Sequence, residues 1–202
     1  IPDGVDLEVG GTVEDQGDAF GDLGVLFILI VILVYIVMAT QFESLLFPFI
    51  IMFTIPFAFT GVFLALWMTS TPLSLIALIG AIMLVGIVTK NGIVMVDYMN
   101  LLVERGSGVF DAVIAGGKSR LRPVLMTSFT TILGMLPLAI GTGAGSETWQ
   151  PMGIAVIGGL TCSTLLTLFI IPALYSVFVN RSQRKEKEKL ARLSAEHQAS
   201  VH

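Results

Sequence analysis

A lysine inside an apolar run is the first feature of this sequence that demands a chemical explanation. Lys90 lies well within a segment from about Leu73 to Met99 that carries no other charge before Asp97. At about 1.5 Å of rise per residue it falls near the middle of a bilayer. A lipid-facing ammonium at that depth costs on the order of 3 kcal/mol or more, and a lysine side chain is too short to reach the interface from there. Lys90 is therefore expected to be a buried cation that faces other helices and pairs with carboxylates. No acid in the other apolar runs sits at matching depth. Asp97 shares its face but lies two turns away, about 10 Å along the axis. The expected carboxylate partner is outside this chain.

Polar and small residues surround this position. Thr89 and Asn91 flank Lys90, and Gly80, Gly86 and Gly92 give the same helix small surfaces for close packing. Thr127, Ser128, Thr130 and Thr131 crowd one or two turns of a later apolar run, where hydroxyls usually bond their own backbone. Arg120 and Thr127 are seven residues apart and share a face if their helix begins before Pro123, which offers a polar strip to Lys90 and its partner. Two look-alikes carry no chemistry. Gly116-Gly117-Lys118-Ser119 ends like a phosphate-binding loop, but the required first glycine falls at Ala112 and no strand precedes it. The stretch Gly141-Thr142-Gly143-Ala144-Gly145 lacks dinucleotide spacing and reads as a turn. The only cysteine is Cys162, and both histidines, His197 and His202, lie in a polar tail, so neither a disulfide nor a zinc cluster is expected. No nucleophile–base pair is visible, so no enzyme and no cofactor are expected.

The elements that position these residues follow from composition. The 202 residues are 54% hydrophobic and 13% charged, with a mean hydropathy of +0.89. So little charge cannot cover a soluble domain, and the chain reads as an integral membrane protein. Five segments are long enough to cross the bilayer, at about 23–39, 45–68, 73–99, 123–142 and 152–179. The expected fold is an all-α bundle of five transmembrane helices in contact with lipid. The first span has no basic residue ahead of it and is not a signal peptide. The chain starts at Ile1 rather than Met, as a fragment or a processed product would.

Charge sets the expected orientation. Seven of the 15 acids lie within residues 1–22, where there is no Lys or Arg. Every basic residue except Lys90 falls in the loop 102–122 or in the tail 180–202. The positive-inside rule places both groups in the cytoplasm, and residues 1–22, 69–72 and 143–151 on the other side. Basic residues that flank apolar runs describe topology, so no nucleic-acid partner is expected. Val109, Phe110, Val113 and Ile114 form one apolar face of a short helix in the basic loop, suited to lie on the membrane or on neighbouring helices. The tail alternates Lys and Glu, as a solvated helix or a disordered segment does.

At Gly86-Ile87-Val88-Thr89-Lys90-Asn91-Gly92-Ile93-Val94-Met95-Val96-Asp97-Tyr98, followed by Arg120-Leu121-Arg122-Pro123-Val124-Leu125-Met126-Thr127-Ser128, the chain resembles the resistance–nodulation–division (RND) efflux transporters, in their AcrB/MexB-like hydrophobe/amphiphile branch. Gln41-Phe42-Glu43-Ser44 and Gly141 to Ser146 support the likeness, which covers nearly the whole chain. The resemblance implies that these spans are the last five of a twelve-helix protomer, with residues 1–22 ending a periplasmic porter region. It implies drug:proton antiport, with Lys90 paired to two aspartates in the missing N-terminal half and Thr127, Arg120 and Asn91 in the same relay. The Lys-Asn pair favours organic over metal substrates within the superfamily. The implied partners are two further copies in a homotrimer, a periplasmic adaptor and an outer-membrane channel, in a bacterial inner membrane with the C-terminus cytoplasmic. Two alternatives stay open on the residues alone: an RND-fold sensor or lipid- and sterol-handling protein, and a passive helical bundle.

Overall fold

A computed structural model describes residues 12–141, 143 and 145–200. The elements are α1 (Thr12–Phe42), α2 (Leu46–Met52), α3 (Ile55–Met68), α4 (Leu75–Glu104), α5 (Val109–Ile140) and α6 (Ser146–Ser200). They supply five stretches long and apolar enough to cross a membrane, the second being α2 and α3 together. The break inside that second span has a local cause. Pro56 has no N–H and its ring would collide with the Met52 carbonyl, so the helix stops at Met52 and restarts with the proline in its first turn. Thr54 bridges the gap: its N–H and its hydroxyl both donate to the Ile51 carbonyl, at 3.0 and 2.7 Å.

Other helices extend past the apolar runs that mark them. α1 starts at Thr12, so residues 12–22 form its first turns, while residues 1–11 lie outside the described residues. The connection expected over 102–122 is a turn at 105–108, with Gly106 at φ 90°, and residues 109–122 are already helical. Pro123 and Pro151 look like natural helix starts, yet both lie inside helices. Membrane bundles tolerate interior prolines because neighbouring groups satisfy the freed carbonyls. Of the four residues expected to form one apolar face, Val109 and Val113 pack on the core, whereas Phe110 and Ile114 point outward. The tail is helical to Ser200 as a continuation of α6. Ser74 caps α4 by accepting from the Ala77 N–H at 3.2 Å, and Gly141 ends α5 at φ 71°.

α4 and α6 form the centre and run in the same direction: Gly80 lies against Met152, Gly92 against Ile171, and Asn100 accepts a 2.6 Å hydrogen bond from Tyr175. Around this pair, α3 and α5 pack on α6, while α1 packs mainly on α2 and α4. One apolar cluster gathers Val62, Leu66, Leu84, Val88 and Leu160; the other gathers Met38, Ile51, Met95, Met99 and Tyr175. The spanning part of α4 is 56% buried by this chain, that of α1 only 6%. The alternation of spans puts the turn at 105–108 and the start of α6 at opposite ends of the bundle. In a Cys162→Ala background, Ser107→Cys and Glu147→Cys, both exposed, are expected to react with an impermeant thiol reagent from opposite faces of the membrane. Labelling of both from one face would refute the five-span arrangement.

Candidate functional site

The candidate site is a stripe on α4 and the face of α5 beside it. Along α4, the exposed residues are Ile79, Met83, Gly86, Lys90, Asp97, Leu101 and Glu104, which share one side of the helix, with half-buried Ile93 and Val94 between Lys90 and Asp97. Lys90 is therefore not buried within this chain: it stands on the one side of α4 that no helix here covers. Its neighbours turn inward, with Thr89 4% and Asn91 9% exposed. The Thr89 hydroxyl donates to the Val85 carbonyl at 2.6 Å and so is satisfied within its own helix. Asp97 lies on the same strip as Lys90, toward the end where α4 meets the turn at 105–108.

The glycines behave differently from one another. A Cβ at Gly80 would come within 2.9 Å of Met152 Cγ, and one at Gly92 within 2.7 Å of Ile171's neighbour Ile51 Cγ2, so both sit at close helix contacts. Gly86 has nothing within 4 Å. It opens the exposed strip one turn from Lys90 and packs against no helix of this chain.

α5 runs antiparallel to α4. Met99 packs on Gly116, and the Arg120 guanidinium lies 4.6 Å from the centroid of the Tyr98 ring. Continuing that register brings Thr127 to the level of Lys90. Because α5 begins at Val109, the condition for Arg120 and Thr127 to share a face is met. The structure pairs Arg120 with Tyr98. Thr127 is exposed and its hydroxyl donates to the Val124 carbonyl at 2.9 Å. Thr130 and Thr131 also bond their own helix, at 2.8 and 2.9 Å.

Ser128 breaks that pattern. Its hydroxyl shares a buried 2.8 Å hydrogen bond with Thr164 of α6. Thr167, one turn further, is 2% exposed and its hydroxyl has no partner among the described residues. These α6 hydroxyls escaped the sequence reading because hydroxyls in apolar runs normally serve their own backbone. Their spacing of three, which puts them on one face, was the available signal. The Gly116-Gly117-Lys118-Ser119 stretch is mid-helix, so it forms no phosphate loop. No group of three or more metal-ligating side chains occurs among the described residues.

Five apolar spans and no strand among the described residues, with one lysine exposed midway along the third span, define an all-α, multi-pass membrane protein. The chain belongs to the AcrB/AcrD/AcrF family of RND efflux transporters, whose family model matches residues 1–179. It is 39% identical over 185 residues to the swarming motility protein SwrC of Bacillus subtilis, covering 91% of this chain and 18% of that protein. It is 38% identical over 188 residues to the cobalt-zinc-cadmium resistance protein CzcA of Cupriavidus metallidurans, covering 93% and 17%. It is 44% identical over 156 residues to the multidrug resistance protein MdtC of Erwinia tasmaniensis, covering 76% and 15%. A crystal structure of a heavy metal efflux pump superposes with a TM-score of 0.76 at 33% identity, over 85% of this chain and 17% of that one. The chain thus spans less than a fifth of the relatives it matches, and their names include both multidrug and metal export. The class that this likeness carries is an efflux transporter of the membrane.

Proposed function

We propose that this chain is the C-terminal membrane segment of a proton-driven exporter of hydrophobic or amphiphilic compounds. The observation that carries the reading is Lys90: a cation at mid-span, on the one strip of α4 left open by its own chain. Carboxylates from the remainder of the transporter pair with it there. Protonating them removes the charge that compensates the ammonium in a low-dielectric site, and the side chains must rearrange. A discrete change of this kind biases a two-state protein. Thr127, at the same level, supplies a polar group to the relay, Asn91 lies buried behind Lys90 on the inner side of α4, and Arg120 lies toward the end where the basic residues cluster. Those clusters face the cytoplasm, and the acidic N-terminal segment faces the periplasm. The full transporter works in a bacterial inner membrane as a homotrimer with a periplasmic adaptor and an outer-membrane channel.

The likeness to MdtC and the Lys-Asn pair support organic cargo; the likeness to CzcA favours metal cargo as the second reading. The two separate in proteoliposomes holding the full-length transporter under an imposed proton gradient. Ethidium transport that follows the gradient, with no zinc or cobalt transport, is the expected result. Gradient-driven zinc transport without ethidium transport would replace the cargo and keep the coupling. Ethidium movement indifferent to the gradient would refute the coupling itself.

A further inference from the structure

The Arg120 side chain is held in an unusual way. Arg120 and Tyr98 are both half-buried, on α5 and α4 respectively, with the guanidinium 4.6 Å above the ring. Arg120 Nε is enclosed and has no hydrogen-bond partner among the described residues. A guanidinium keeps its charge at any accessible pH, so once withdrawn from water it needs an electronegative surface. The face of an aromatic ring provides one. A carboxylate in that place would neutralise the arginine and would itself take up protons. A ring does neither, so it holds the guanidinium without adding a group that binds protons. The backbones are locked together beside this contact, where a Cβ on Gly116 would lie 2.7 Å from Met99 Cγ. Tyr98 sits about 12 Å along α4 from Lys90, on the side toward which Arg120 lies from Thr127.

We propose that Tyr98 is a positioning residue, whose ring face fixes the Arg120 guanidinium within the proton path. The inference rests on the relay reading given above. It is tested in the full-length transporter by ethidium efflux measured across external pH, with expression and trimer content checked. Tyr98→Phe keeps the ring face and is expected to retain efflux. Tyr98→Leu is expected to slow it about 3- to 30-fold and to shift the pH profile in the same direction as Arg120→Ala. In an Arg120→Ala background, Tyr98→Leu is expected to add nothing. Fluorinated phenylalanines at position 98 drain the ring face with little change of shape, so efflux should fall stepwise with fluorination; this arm stands even if the leucine variant folds poorly. If Arg120→Ala impairs efflux while fluorination leaves it flat, the positioning role is overturned and the relay survives. If Arg120→Ala itself is silent, the arginine has no part in the relay and the inference falls with it.

Discussion

Lys90→Ala in the full-length transporter is expected to abolish efflux, by about 100-fold or more, while the protein stays folded and trimeric. Removing one partner of a buried ion pair costs about 3–5 kcal/mol, which corresponds to that loss of rate if the pair must form in every cycle. Without the ammonium, ionising the partner carboxylates becomes more costly, so they stay protonated and the cycle halts after proton uptake. Folding is spared because Lys90 makes no contact that supports the core of this segment; the buried residues next to it are Thr89 and Asn91. Lys90→Arg is expected to fail as well, since a planar fork cannot take the place of a compact, movable ammonium. Thr127→Ala should be mild, because a hydroxyl bonded to its own helix is worth about 1 kcal/mol. Efflux assays at matched expression rank the three. Near-normal efflux by Lys90→Ala would remove the lysine from the mechanism.

The largest effect on stability is expected at the crossing of α3 and α6. A Cβ on Gly159 would strike the Leu84 side chain, lie 2.7 Å from Val62 Cγ2 and 3.1 Å from the Ala58 carbonyl. Gly158 is equally confined, against Ala65 and, at 2.8 Å, the Gly61 carbonyl. Small residues spaced four apart, Gly61 with Ala65 and Gly158 with Cys162, let the two backbones meet as membrane helices do when packing rather than water drives association. Gly159→Val therefore has no free volume to enter, and backbone atoms cannot yield as a side-chain tip can. Overpacking of this kind costs about 1–3 kcal/mol, with more expected where three helices converge. Detergent-solubilised transporter carrying Gly159→Val should lose its monodisperse peak or melt several degrees lower. An unchanged melting temperature would show that the helices do not approach this closely.

How much of this was legible depends on whether the deciding force is local. Bilayer thickness acts on every span alike, so hydropathy located the five of them. Proline was ambiguous: Pro56 interrupts a helix, whereas Pro123 and Pro151 sit inside theirs, and the difference lies in what neighbouring helices do with the freed carbonyls. Lys90 stood out because its depth alone makes it expensive. The hydrogen bond between Ser128 and Thr164 joins residues 36 apart in sequence and becomes visible only when α5 and α6 are placed together. The three glycines on α4 looked equivalent, yet only Gly80 and Gly92 meet another helix of this chain. The crossing at Gly61, Gly158 and Gly159 shows in the sequence only as two adjacent glycines within a span, and the partner helix is set by the fold.

The open strip on α4 has a geometric consequence for whatever covers it. Ile79, Met83, Gly86, Lys90, Asp97 and Leu101 recur at intervals of three, four and seven, the spacing of a coiled-coil seam. A seam of that period stays in contact along its length with a helix crossing at about 20°, the two winding gently around each other. Gly86 is a missing knob in the seam, a hole one turn from the Lys90 ammonium. Under the proposed relay, a short acidic side chain on a facing helix would enter that hole without lengthening the distance between the axes. On that reading the coupling between charge and shape would reside in the registry of two helices, and a slip of a single residue along the seam would take the carboxylate out of reach.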